Sequence, residues 1–279
     1  MQTEQFQLHA DIEERHWWFL ARRTIVGRLV RRVLPPSSET TIVDIGCGTG
    51  ANIASFAEDY HSVGIDTSNE AVRWARERFP EVQFLVGRAP QNLGNLMDKA
   101  RLFLLNDVLE HVPDDFAMLS ELLAAARPES YFLITVPADE SLWSTHDESF
   151  GHFRRYDRRR FERLWADLPV EPVLVSHFNA RMYPLIRAIR SFPWRRGRAW
   201  GRAGTHFWMP PAPANRLLEA AFAGEVKVLE DLLAGRRTHG YRRGRSLLAL
   251  LRRLPGPIAL RPRPENIAPD RHLAPAAAC

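Results

Sequence analysis

The run Val43-Asp44-Ile45-Gly46-Cys47-Gly48-Thr49-Gly50 reads as a buried strand that breaks into three glycines and restarts as a helix near Ala51. Glycine lets the backbone turn tightly and approach a ligand closely, with the helix N–H groups facing it. Outward from this turn, short β-rich apolar runs at 41–45, 62–65, 82–86, 102–105 and 131–136 alternate with segments of helical period. Residues 69–78 place Ala71, Val72 and Ala75 on one face. Asp114 or Asp115 caps a helix whose stripe is Met118, Leu119, Leu122 and Leu123. Further strands are expected at 172–178 and 246–251, with a helix over 161–168 between the fifth and sixth. Such alternation is the pattern of an α/β fold, a parallel sheet covered by helices. Two segments fall outside it. Residues 1–34 read as one long helix ending before Pro35-Pro36. Residues 179–213 hold Trp194, Trp200, Phe207 and Trp208 among arginines and glycines. From Pro255 onward, recurrent proline and alanine predict a disordered tail.

Composition narrows the classes. With 279 residues, 45% of them hydrophobic, the chain buries a full core and needs neither disulfides nor metals to fold. No run approaches the roughly 18 apolar residues of a membrane span, and residues 1–11 are too polar for a secretory signal. Cys47 lies inside the glycine turn and Cys279 is the last residue, so no disulfide is expected and a reducing, cytoplasmic setting is. The net charge of +5 invites a nucleic-acid partner, but the basic residues, all arginine except Lys99 and Lys227, are scattered beside 33 acids. A surface that tracks phosphates concentrates its charge, so nucleic acid is not expected.

Gly46, Gly48 and Ala51 also satisfy the loose dinucleotide pattern, so spacing alone leaves a nicotinamide or flavin enzyme open. Asp44 weighs against it, because a carboxylate beside the turn repels a pyrophosphate. The same carboxylate favours S-adenosylmethionine, which has no phosphate and carries a sulfonium and an ammonium. Asp66 follows Gly46 at the separation where a second-strand acid meets ribose hydroxyls.

Asp44-Ile45-Gly46-Cys47-Gly48-Thr49-Gly50, Gly64-Ile65-Asp66-Thr67-Ser68 and Leu105-Asn106-Asp107-Val108-Leu109-Glu110-His111-Val112 resemble the motifs of class I S-adenosylmethionine-dependent methyltransferases. His16-Trp17-Trp18-Phe19 with Arg22-Arg23, and Thr135-Val136-Pro137-Ala138, Trp143, His146-Asp147, Gly151-His152 and Arg154-Arg155-Tyr156, are similar to a bacterial small-molecule subgroup. The resemblance implies a Rossmann-like, doubly wound, mainly parallel seven-stranded sheet over 36–254. It adds an N-terminal helical lid over 1–35 and an insertion at 179–213 between the last two strands, and the disordered tail at 255–279 lies outside it. It implies Gly46, Gly48 and Gly50 along the cofactor's methionine and ribose, and Asp44 near its ammonium. It places Asp66 on the ribose hydroxyls, Thr67 against the adenine, and Asn106 and Asp107 at the border. Relatives that carry an acid after the third strand use it on the adenine amine. Here Gly87-Arg88-Ala89 stands there instead, so the resemblance leaves that place to be taken by the backbone of Ala89.

Adjacent residues on a helix diverge by about a hundred degrees, so Trp17 and Trp18 cannot both face one core; one is left to cover a ligand. The resemblance implies that this helix closes over the cofactor, with Arg22 or Arg23 paired to its carboxylate. Methyl transfer needs alignment and, for a protonated acceptor, a base. Beyond the fifth strand, where such sheets bind ligands, His152, His146, Asp147 and Tyr156 are the catalytic candidates, His152 first. No metal is expected. The leading expectation is methylation of an oxygen or nitrogen on a small molecule, for instance in natural-product biosynthesis. An RNA methyltransferase and a non-catalytic cofactor-binding partner are the alternatives, and the oligomeric state is left open.

Overall fold

A computed structural model describes residues 3–192, 197–199, 201, 205–265 and 270. Its centre is a seven-stranded sheet: β1 (Ser37–Ile45), β2 (Tyr60–Asp66), β3 (Gln83–Val86), β4 (Ala100–Asn106), β5 (Tyr131–Pro137), β6 (Val170–Phe178) and β7 (Ser246–Arg253). The strand order is β3-β2-β1-β4-β5-β7-β6. Each expected strand is present, lengthened by a residue or more at one or both ends, except that β3 starts one residue late. The sheet is mixed: the pairings among β1 to β5 are parallel, whereas β7 runs antiparallel to both β5 and β6.

Alternation along the strands divides the core in two. Val43 and Ile45 of β1 face one layer and Ile42 faces the other. The helices are α1 (Thr3–Ile12), α2 (Trp17–Val33), α3 (Ala51–Ala54), α4 (Asn69–Arg78), α5 (Leu96–Lys99), α6 (Asp115–Ala125), α7 (Thr145–Ser149), α8 (Arg158–Arg163), α9 (Tyr183–Ser191), α10 (Ala212–Ala223) and α11 (Val226–Leu233). Met97, Phe116, Leu119, Leu122, Leu123 and Phe161 bring α5, α6 and α8 onto the first face. Ile25, Leu29, Val72, Phe222 and Leu229 bring α2, α4, α10 and α11 onto the second. Met118, expected in the buried stripe of α6, is only half-buried, and Asp114 rather than Asp115 is the cap, its Oδ1 accepting from Ala117 N at 2.8 Å. Because the chain leaves β1 toward β2 on one side and β4 lies on the other, a crevice opens between them at the carboxyl ends of the strands.

Three expectations change. The amino-terminal segment is two helices, not one. His16 leaves the helical region (φ −77°, ψ 131°) and its Nδ1 accepts from Trp18 N at 3.2 Å, so it starts a new helix. The helix expected over 161–168 is α8, which begins at Arg158 and ends at Arg163. Within the described part of the tail, 255–265 lies along α6: Arg261 N donates to Ser120 Oγ at 3.0 Å, Arg263 N to Asp114 Oδ2 at 3.2 Å, and Ile258 packs on the core. Polar anchors on α6 hold a stretch whose composition reads as disordered. Trp194 and Trp200 lie outside the described residues, as does Cys279.

Candidate active site

A cavity of about 810 Å³ occupies the crevice. Its floor is the glycine turn. Gly46 takes φ +70°, and a Cβ there would come within 2.8 Å of Val108. Gly46 N and Cys47 N donate to Ile65 O at 2.8 and 3.1 Å, which locks the turn onto β2. Gly48 N donates to Asp66 Oδ2 at 2.9 Å and Ser68 N to Asp66 Oδ1 at 2.8 Å, so the Asp66 carboxylate is held in place at the cavity wall. Thr67 and Ala89 line the cavity near it, as do Asn106 and Asp107 at the end of β4. Asp44 sits behind the lining at 1% exposure, and neither of its oxygens has a hydrogen-bond partner. Burial pushes its carboxyl up to about 7, against the opposing pull of Arg22.

The amino-terminal helices form the opposite wall through Phe6, His9, Glu13, Trp18, Phe19 and Arg22. The two tryptophans part as helix geometry requires. Trp18 lines the cavity, with the Arg22 guanidinium 4.4 Å from its ring centroid, while Trp17 lies off the lining and packs edge-on against Phe222. Of the two candidate tryptophans for the cofactor, Trp17 is therefore the one that does not line the crevice. Arg22 is ion-paired with Asp107, whose other oxygen accepts from Thr135 Oγ1 at 3.2 Å.

At the far end, α7 and the loop after it supply the remaining candidates. Asp147 is fully buried and accepts from Ser144 N at 2.9 Å, from Arg155 Nε at 2.8 Å and from His152 Nδ1 at 3.0 Å. Burial alone would raise its carboxyl, but Arg155 and His152 hold it well below the usual carboxylate range. His152 and His146 line the cavity. Burial lowers His146 far below its ordinary value, and its Nδ1 accepts from His206 N at 3.1 Å. Tyr156 does not reach the cavity. It is fully buried, pairs with Ala138 as an isolated bridge and donates to Asp115 Oδ2 at 2.7 Å. Burial raises its phenol well above 10. Its place is structural.

Sequence reasoning missed several lining residues. Glu13 accepts from Thr49 Oγ1 at 2.7 Å and pairs with Arg78, tying the turn between α1 and α2 to the glycine turn. No local pattern announces it. Glu110 lines the cavity fully buried, with neither carboxylate oxygen partnered, and burial raises its carboxyl well above its ordinary value. It stands in a quoted motif without having been singled out. Phe207 and Arg245 come from the connection between β6 and β7 and the start of β7. Arg245, buried beside Arg155, is lowered to about 10.

Comparison with known proteins places this geometry. A family profile described as a methyltransferase domain matches residues 17–182. A trans-aconitate 2-methyltransferase from Azoarcus sp. (strain BH72) is 30% identical over 128 residues, which are 45% of this chain and 50% of that protein. The chain thus spans about half the length of the curated relatives it matches. Among solved structures, the YcgJ protein from Bacillus subtilis superposes with a TM-score of 0.51 at 15% identity, covering 83% of this chain and 99% of that one. The plantazolicin methyltransferase BpumL, in complex with a substrate analogue and S-adenosylhomocysteine, gives 0.50 at 13% identity, covering 90% and 91%. These two likenesses establish the fold alone.

Proposed function

Because the chain belongs to the methyltransferase-domain family, class I enzymes that use S-adenosylmethionine, we propose that it transfers the methyl group of that cofactor to an oxygen or nitrogen of a small-molecule acceptor. The observation that carries the reading is the pair of carboxylates at the glycine turn, Asp66 pinned at the wall and Asp44 sealed behind it without a partner. An orphaned buried carboxylate calls for a cation, and the cofactor's ammonium is one. The unpartnered Oδ1 of buried Asn106 adds a free polar atom beside it. These residues fit the cofactor and oppose a pyrophosphate.

When bound, S-adenosylmethionine supplies an electrophilic methyl on a positively charged sulfur. The chain's own groups do the rest. Asp66, with both oxygens oriented by backbone N–H groups, accepts from the ribose hydroxyls, and Thr67 and Ala89 border the adenine. Trp18 and Arg22 on α2 cover the crevice as the lid. Arg22 exchanges its bond to Asp107 for the cofactor's carboxylate. The acceptor enters at the α7 end, where its proton leaves at the cluster of Glu110, His111 and His152, with Asp147 fixing the His152 ring. His146, kept neutral by burial, lines the same end. Arg245 suits an acceptor that carries a carboxylate, as the acceptor named for the curated relatives does.

A role in natural-product tailoring belongs to this proposal. The similarity of His16-Trp17-Trp18-Phe19 and the His146 to Tyr156 run to a bacterial small-molecule subgroup supports it. The buried free thiol of Cys47 suits a reducing cytoplasm, and no helix among the described residues is long and apolar enough to cross a membrane. The test is a screen of small-molecule acceptors with methyl-labelled cofactor, read by mass. Adenosylhomocysteine should raise the melting temperature and NADH should not; the reverse order overturns the reading.

A further inference from the structure

We infer that Glu110, His111 and His152 form a binding site for a divalent transition-metal ion at the acceptor end of the cavity. Each offers one ligand atom, and the three atoms lie within 4.8 Å of one another. Around a metal with bonds near 2.1 Å, neighbouring ligands stand about 3.4 Å apart, so modest side-chain rotation closes the set.

Three independent features make the cluster more than a coincidence of residue types. The first is Glu110. Its side chain is fully buried and lines the cavity, yet neither oxygen has a hydrogen-bond partner. Buried polar groups are almost always satisfied, so an acid left open in this way is short of a partner, and a metal ion in the cavity would both supply one and draw off its proton. The second is the anchoring of His152. Its Nδ1 is engaged by Asp147, itself fixed by Arg155 and Ser144, which leaves Nε2 as the ring nitrogen able to ligate. A carboxylate on the far nitrogen is how metal-bound histidines are held in orientation. The third is ring placement: His111 and His152 meet edge to face with centroids 4.7 Å apart.

Two imidazoles and one carboxylate select the metal. This donor set suits iron(II), manganese, cobalt or zinc, whereas calcium and magnesium prefer oxygen donors throughout. Three protein ligands leave coordination positions open, and all three residues line the cavity. On the methyltransferase reading, an acceptor hydroxyl would occupy an open position and bond the metal through its oxygen, its proton passing to solvent at a lowered pKa. On that reading His152 acts through the metal and Asp147 is its positioning residue. Metal binding itself needs no such premise. It also reverses the expectation of a metal-free site, because His152 arrives from a loop far from the adjacent Glu110-His111 pair.

The test uses the full, untagged chain stripped with chelator. Titrated with zinc by calorimetry, it should bind one equivalent at micromolar Kd or tighter. Cobalt should give visible d–d bands at the same stoichiometry. His111→Ala and His152→Ala should each weaken zinc about a hundredfold, Glu110→Gln at least about tenfold, and Asp147→Asn by about ten- to a hundredfold because it no longer orients the His152 ring. Cooperative thermal unfolding checks that each variant is folded. Should a variant fail to fold, the wild-type cobalt spectrum decides alone. No saturable zinc or cobalt binding, or affinity unchanged in folded variants, overturns the site. Adenosylhomocysteine binding by the stripped wild-type chain tests the methyltransferase reading separately.

Discussion

The two ends of the cavity are built differently. At the cofactor end, one continuous segment from β1 through the glycine turn meets the end of β2, and backbone N–H groups do most of the positioning: Gly48 and Ser68 hold Asp66, and Ile65 receives Gly46 and Cys47. At the acceptor end, side chains from four separate places hold one another. Asp147 gathers Ser144, His152 and Arg155, while Glu110 and His111 arrive from beyond β4 and Arg245 from just before β7. A site made from backbone tolerates changes to side chains around it but not to its turn. A site made from buried charges fails when any one charge is removed.

The largest effect is expected where that difference is sharpest. Asp147→Ala leaves the Arg155 guanidinium buried without its partner, which should cost about 3–5 kcal/mol of stability, read by denaturant unfolding. A loss under about 1 kcal/mol would mean that the acceptor end does not depend on its charge network. Next comes Gly50→Ala. With φ at +92° and a Cβ that would meet Ala75 and Phe84 at 2.9 Å, it should cost about 2–4 kcal/mol and weaken adenosylhomocysteine binding. Unchanged stability would contradict a turn fixed by its backbone.

Asp44→Asn separates binding from stability. The wild-type carboxyl titrates near 7 in the folded chain and near about 3.9 when unfolded. The folded state therefore holds the proton more tightly, and stability falls as pH rises from about 4 to about 7. The variant should match wild type below that window and exceed it by on the order of 1–3 kcal/mol at pH 8. Cofactor affinity, which needs the carboxylate, should fall in wild type as pH drops below 7 and should be weaker and pH-independent in the variant. Equal curves for the two proteins would remove Asp44 from the site. The smallest effect should distinguish the tryptophans. Trp18→Ala should weaken cofactor binding about five- to tenfold, roughly 1 kcal/mol, whereas Trp17→Ala should lower stability and leave affinity alone. Equal effects on affinity would show that the two do not part as the helix places them.

How much was legible follows the same division. Strand positions were readable because short continuous apolar runs bounded by turns depend on near neighbours in sequence. The antiparallel insertion of β7 between β5 and β6 was not, since nothing within that strand states its direction. The amino-terminal segment read as one helix because no glycine or proline interrupts it before Gly27; His16 capping Trp18, with Glu13 drawn to Thr49 and Arg78, breaks it in space. Tyr156 looked chemical four residues after His152, yet its bridge to Ala138 turns it into the core, where its hydroxyl donates to Asp115. Glu110 sat unread in its motif, because burial without a partner is a property of surroundings that a sequence does not spell out.

By itself, the sequence determined the α/β alternation, the glycine turn and the acids at its two strand ends, because those depend on spacing along a few dozen residues. Only the tertiary structure decided which tryptophan meets the cavity, which acid is left unpaired, and that two histidines from distant segments converge on one carboxylate. Burial and charge pairing are set by what the fold brings near, and that distance is not written in the order of the chain.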